Sequence, residues 1–235
     1  MLQLIKKDLL VALKVKSIKT VIFILIVALF LSNIFAIVLP TILPIIITYI
    51  VVMNSFYYDS LNNSESYILS MPNKREDVVY SKYILVLLVL FLSNFLIFIL
   101  FGLNIMNSIR VMVLQDVTVS SATILFSFSI IIPIIFKYGY KVGRIVAPII
   151  TIIVGYISYR NDTLSDYIYN GKETILLSFF RKIGALLYKI FEFDNYDYIL
   201  ISSNIYIIFT FIMTIVLFIA SMTIALKIYK KRDIR

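Results

Sequence analysis

From Val21 to Phe56 the chain runs for 36 residues without a charged side chain. A bilayer core about 30 Å thick takes about 20 helical residues to cross, so this run is too long for one crossing and just long enough for two. Ser32, Asn33, Pro40 and Pro44 punctuate its middle. Proline fits best in a first helical turn, where its missing N–H is no loss. The run therefore predicts a tight hairpin, with spans at about 18–34 and 37–57. Four more apolar runs predict spans at about 83–107, 118–136, 145–159 and 203–226, and no span core contains Asp, Glu, Lys or Arg. The fold expected is an all-α integral membrane protein with six transmembrane helices, a single transmembrane domain over 1–235.

Composition agrees. The chain is 61% apolar and 15% charged, where a soluble domain is about 45–50% apolar and about 25% charged. A soluble enzyme, a disulfide scaffold and a disordered tail are excluded. There is no cysteine and no histidine, which removes disulfides, thiolate nucleophiles and the commonest metal ligand and general base.

Charge orients the spans. Lys6, Lys7, Lys14, Lys16 and Lys19 crowd the N-terminal segment, and Lys227, Lys230, Lys231, Arg232 and Arg235 the C-terminal one. Cytoplasmic segments carry the excess of Lys and Arg. Both ends therefore belong in the cytoplasm and the number of crossings is even. This topology puts 16 of the 22 basic residues inside, in the termini and the loops 57–82 and 137–144. The net charge of +9 is explained by topology without a nucleic-acid partner. Residues 1–19 read as an amphipathic helix, with Leu2, Ile5, Leu9, Ala12 and Leu13 on one face and Gln3, Lys7 and Lys14 roughly opposite. Such a helix binds anionic headgroups or rides on a cytoplasmic partner. No secretory cleavage signal is evident.

The spans lack what an ion-coupled machine requires, since proton or ion relays need ionisable groups near the bilayer midplane. Gly171-Lys172-Glu173-Thr174 is no phosphate loop: Asp166 stands where the first glycine belongs, and Thr174 falls one residue late. The energy for any work must come from elsewhere. Neutral polar residues are present: Asn54, Ser55, Ser93, Asn94, Asn104, Ser127, Ser129, Ser203, Asn204, Thr210, Thr214 and Ser221. They suit interhelical hydrogen bonds, or the lining of a path.

The stretch 57–82 reads YYDSLNNSESYILSMPNKREDVVYSK. Asn73 is a good N-cap, Glu76 three residues on completes a capping-box pattern, and Pro72 discourages a helix from running through from Leu69. Glu76 and Asp77 suit the positive end of the helix that follows. Asp59, Glu65, Tyr67, Leu69, Ser70, Pro72, Arg75, Val78 and Lys82 follow a pattern that resembles the ABC-2 type transporter permeases, most closely the small six-span bacterial subgroup. Asn73 stands where the pattern usually shows serine, and Lys74 is extra. The basic N-terminal helix and even span count fit the same plan across the whole chain.

The resemblance implies that 57–82 is a coupling helix docking into a separate ATPase subunit. Asp59, Glu65, Tyr67, Ile68, Leu69, Ser70, Pro72, Asn73, Lys74, Arg75 and Lys82 would make that contact. It also implies no cofactor in this chain, with ATP and Mg bound by the partner, and a second copy or a related permease alongside. The chain is similar to exporters of phenol-soluble modulins and other antimicrobial peptides, multi-pass in the plasma membrane. Its Ile-, Lys- and Asn-rich composition suits a Gram-positive bacterium. An immunity protein that sequesters a bacteriocin, or a stand-alone channel, would share much of this composition. Outside, residues 160–198 carry apolar positions at helical spacing. Phe179, Phe180, Ile183, Leu187 and Phe191 form a candidate exit gate there, where a peptide substrate would make contact.

Overall fold

The computed structural model describes residues 2–12, 15–35, 39–61, 75–103, 112, 114–169 and 197–231. Regular structure among them is entirely helical: α1 (Leu2–Ala12), α2 (Val15–Phe35), α3 (Leu39–Leu61), α4 (Arg75–Gly102), α5 (Leu114–Tyr138), α6 (Tyr140–Tyr169) and α7 (Asp197–Lys231). Leu39–Leu61, Arg75–Gly102, Asp116–Tyr138 and Phe211–Lys231 are long and apolar enough to cross a membrane, and α2 adds a shorter apolar stretch, Ile18–Phe30. Pro40 lies in the first turn of α3, where no amide is sacrificed. Pro44, Pro133 and Pro148 lie inside helices, which membrane bundles tolerate because neighbours re-satisfy the freed backbone.

Helix α5 is the spine. It packs on α7, α6, α3 and α4, while α1 packs on α3 and α4, and α2 on α3. Its residues Ile124, Phe128, Ile131, Ile132 and Ile135 are buried, at the three- and four-residue spacing that lines one helix face. Tyr83, Ile97 and Phe101 of α4 and Val52 of α3 close the core around it. Among the described side chains of α2 and α7 most of the apolar surface faces outward, with Phe23, Phe30, Ile212 and Val216 exposed. A bilayer solvates that surface.

Several boundaries differ from expectation. The third span, expected at 83–107, belongs to a helix that starts at Arg75 and stops at Gly102, since helical hydrogen bonding does not stop where hydropathy does. The loop expected at 137–144 shrinks to one residue between helices: Gly139, at φ 84°, separates α5 from α6. That left-handed backbone costs glycine little. Beyond it, Gly143 lies so close to α5 that a Cβ there would stand 2.4 Å from Ile135 Cγ1. The span expected at 145–159 is the middle of α6, which continues through Arg160 and Asp162 to Tyr169, so the first part of the expected outer loop is helical. The single N-terminal helix expected over 1–19 is α1 followed by α2. The buried stripe of α1 is Leu4, Asp8 and Ala12, so the buried face lies beside the expected one, sharing Ala12 with it, while Ile5 and Leu9 are half-buried.

Candidate functional site

The segment 57–82 leaves α3 near Asp59 and returns at Arg75, the first residue of α4. Residues 62–74, and with them Glu65, Tyr67, Ile68, Leu69, Ser70, Pro72, Asn73 and Lys74, lie outside the described residues, as do Phe179, Phe180, Ile183, Leu187, Phe191 and Asn104. The two ends of the segment are described, and a charged cluster ties them together.

Lys82 is its centre, only 3% exposed. Its ammonium donates to Asp8 Oδ1 at 3.0 Å, to Ser55 Oγ at 2.8 Å and to Asp59 Oδ2, which uses all three of its protons. The Phe56 ring lies 4.9 Å from the same nitrogen, within cation–π range. Lys7 bridges the two carboxylates, 3.0 Å from Asp8 Oδ1 and 3.0 Å from Asp59 Oδ1. Ser81 Oγ donates to Asp8 Oδ2 at 2.9 Å. Two ammoniums and two carboxylates thus balance, and all four carboxylate oxygens accept a proton donor. With its oxygens so engaged, the cluster is a tie between helices; it offers no free ligand set to a metal.

Burial opposes the charge on Lys7, but the Asp8 and Asp59 carboxylates outweigh it and hold the ammonium above the usual lysine range. A raised lysine contributes stability that is complete below its unfolded pKa of about 10.4 and is lost as pH rises through the folded value. At neutral pH this part of the cluster is fully charged.

On its other side the start of α4 is tied to α7. Tyr83 Oη and Ser221 Oγ share a hydrogen bond of 2.7 Å, and Ser221 also donates to the Ser129 carbonyl of α5. Arg75 Nη1 donates to the Lys230 carbonyl at 3.3 Å, and Lys230 Nζ lies 2.6 Å from Glu76 Oε1. The second pair is exposed and holds weakly compared with the buried cluster. Further along α4, Thr48 and Ser93 hydrogen-bond at 2.7 Å, and Ser120 donates to Asn94 Oδ1 at 2.9 Å. Ser93, Asn94 and Ser221 therefore act as interhelical glue. Ser127, Ser129 and Thr214 donate to carbonyls of their own helices.

Of the expected coupling residues, Asp59 and Lys82 meet inside the protein, while Arg75 is exposed beside the end of α7. Sequence reasoning missed Asp8, Lys7 and Ser81 as members of the same site. One signal was available: Asp8 is the only acidic residue ahead of Asp59, and an isolated acid in a lysine-rich segment calls for a partner.

Residues 3–230 match a family model described as ABC-2 family transporter protein. The chain belongs to the ABC-2 transporter family. No curated protein and no solved structure matches. As an ABC-2 protein it is a multi-pass membrane component of an ABC transporter, and such components work with ATPase subunits. Within this ABC-2 protein the start of α4 is the point where the end of α3, the helices α1 and α7 and the core helix α5 meet.

Proposed function

We propose that this chain is the non-catalytic permease subunit of an ATP-driven exporter, in the plasma membrane of a Gram-positive bacterium. A separate nucleotide-binding subunit, which binds ATP and Mg, docks on 57–82. Two permease copies, or this one and a related subunit, alternate between inward and outward states. The cargo is an amphipathic peptide or a lipophilic toxin, leaving past the aromatic segment 179–191.

The observation that carries the coupling is the buried clasp between Asp59 and Lys82. It joins the two ends of the docking loop, so that a displacement of the loop moves α3 and α4 together. Through Asp8 and Ser221 the same displacement reaches α1 and α7. The absence of ionisable groups from the span cores leaves no internal proton relay to supply the work.

Glu65→Lys and Arg75→Glu test the docking. Detergent-solubilised wild-type permease should retain its ATPase on purification, and each reversal should lower the ATPase recovered by about tenfold, the equivalent of about 1.4 kcal/mol. Complex and export left intact by both reversals would show that the loop is not the coupling element. Protection of cells with the ATPase deleted would mark an immunity protein, and conductance in liposomes without ATP a channel.

A further inference from the structure

We propose that the α5–α6 corner is a binding site for the phosphate headgroup of an anionic phospholipid. Lys137, Lys141 and Arg144 lie within eight residues around Gly139, and all three are exposed. Lys141 and Arg144 are three apart on α6 and so share a face. Lys137 is placed by its own neighbour, its ammonium lying 4.9 Å from the Tyr138 ring. No acidic residue occurs between Asp116 and Asp162, so nothing along these two helices neutralises the corner from within. Among the packed elements, α7 adds charge of the same sign, since Tyr229 contacts Phe136 and Lys227, Lys230 and Lys231 flank it, while α3 meets Tyr140 through Tyr57, two residues from Asp59. Glu76 is engaged by Lys230, and Asp59 by Lys7 and Lys82.

Position supplies the choice of ligand. The corner follows directly on the candidate span Asp116–Tyr138, which sets its cations at headgroup level. Tyr138 is 58% exposed and Ile145 69% exposed, an aromatic and an aliphatic side chain flanking the cations where acyl chains begin. A soluble acidic partner would have no use for that apolar flank. The corner is also rigid, because the one-residue turn and the close approach of Gly143 to Ile135 fix the angle between the helices. Preorganised cations give up less freedom on capturing a headgroup than cations on a loop would.

The test uses the full-length protein reconstituted in equal parts phosphatidylglycerol and phosphatidylcholine, then released into mild detergent for native mass spectrometry. Wild type should retain phosphatidylglycerol in preference to phosphatidylcholine. K137Q/K141Q/R144Q should retain at least about tenfold less, since each basic residue near an anionic surface contributes about 1 kcal/mol. The charge-conserving K137R/K141R/R144K should keep the lipid, which separates loss of charge from loss of fold. Removing two exposed lysines elsewhere (K6Q/K19Q) should leave most of the retention in place. An equal loss in that control would overturn the site, as would full retention by the glutamine variant. So would a glutamine variant that keeps the lipid but sheds the co-purified ATPase, which would make the corner a protein contact.

Discussion

Replacing Lys82 with methionine is expected to destabilise the permease by about 3–5 kcal/mol. The substitution keeps the volume and the Phe56 contact but strips Asp8 and Asp59 of a shared cation, leaving carboxylates at a site where Asp8 is 1% exposed. Lys7 alone cannot replace it, because that side chain is a third exposed and already spans both acids. Asp8→Asn is expected to cost less, since the amide oxygen still accepts one hydrogen bond. Combining Lys82→Met with Asp8→Asn and Asp59→Asn should recover much of the loss, because removing a buried ion cluster as a unit is often close to neutral. Thermal unfolding in detergent checks the series. Coupling of more than about 1 kcal/mol between positions 8 and 82 is the signature of direct contact, and additive small shifts would show that the cluster does not hold α1 to α4.

Gly143→Ala is expected to cost about 1–3 kcal/mol through overpacking. The added methyl would stand 2.4 Å from Ile135 Cγ1 and 3.2 Å from its Cδ1, and the first of these atoms is too near the backbone to swing clear. Gly155→Ala, further along the same helix, meets nothing within 4 Å and should be neutral or slightly stabilising, since alanine is the better helix former. Ile135→Ala in the Gly143→Ala background should relieve the clash, so that the double variant loses less than the two single losses combined. Equal unfolding midpoints for the Gly143 and Gly155 variants would refute the close approach of α5 and α6.

That the chain is a helical membrane protein could be read from the sequence because charge-free runs are a direct consequence of solvating a helix in hydrocarbon. Of the six spans expected, four fall on helices long and apolar enough to cross among the described residues. Helix ends could not be read. Helix α6 continues through Arg160, Asn161 and Asp162 because backbone hydrogen bonding is indifferent to which side chains it carries. The 137–144 stretch reads as a loop because it is the basic interval between two apolar runs, yet one left-handed glycine turns the chain and the cations ride on the helices that flank it. At the site, Asp59 and Lys82 were marked by the pattern that resembles ABC-2 permeases, but not their contact, since 23 residues separate them. Asp8 was hidden by periodicity: a helical wheel rewards apolar stripes and has no way to represent a carboxylate whose partner arrives from position 82.

The segment between α3 and α4 must lie in the cytosol for an ATPase to reach it. The chain contains no cysteine, so single introduced thiols can be labelled without background. In intact cells, Asn63→Cys should be protected from a membrane-impermeant maleimide and become reactive once the membrane is permeabilised, while Asn170→Cys in the opposite loop should react from outside. Reaction of Asn63→Cys in intact cells would put the segment on the wrong face and contradict the coupling account.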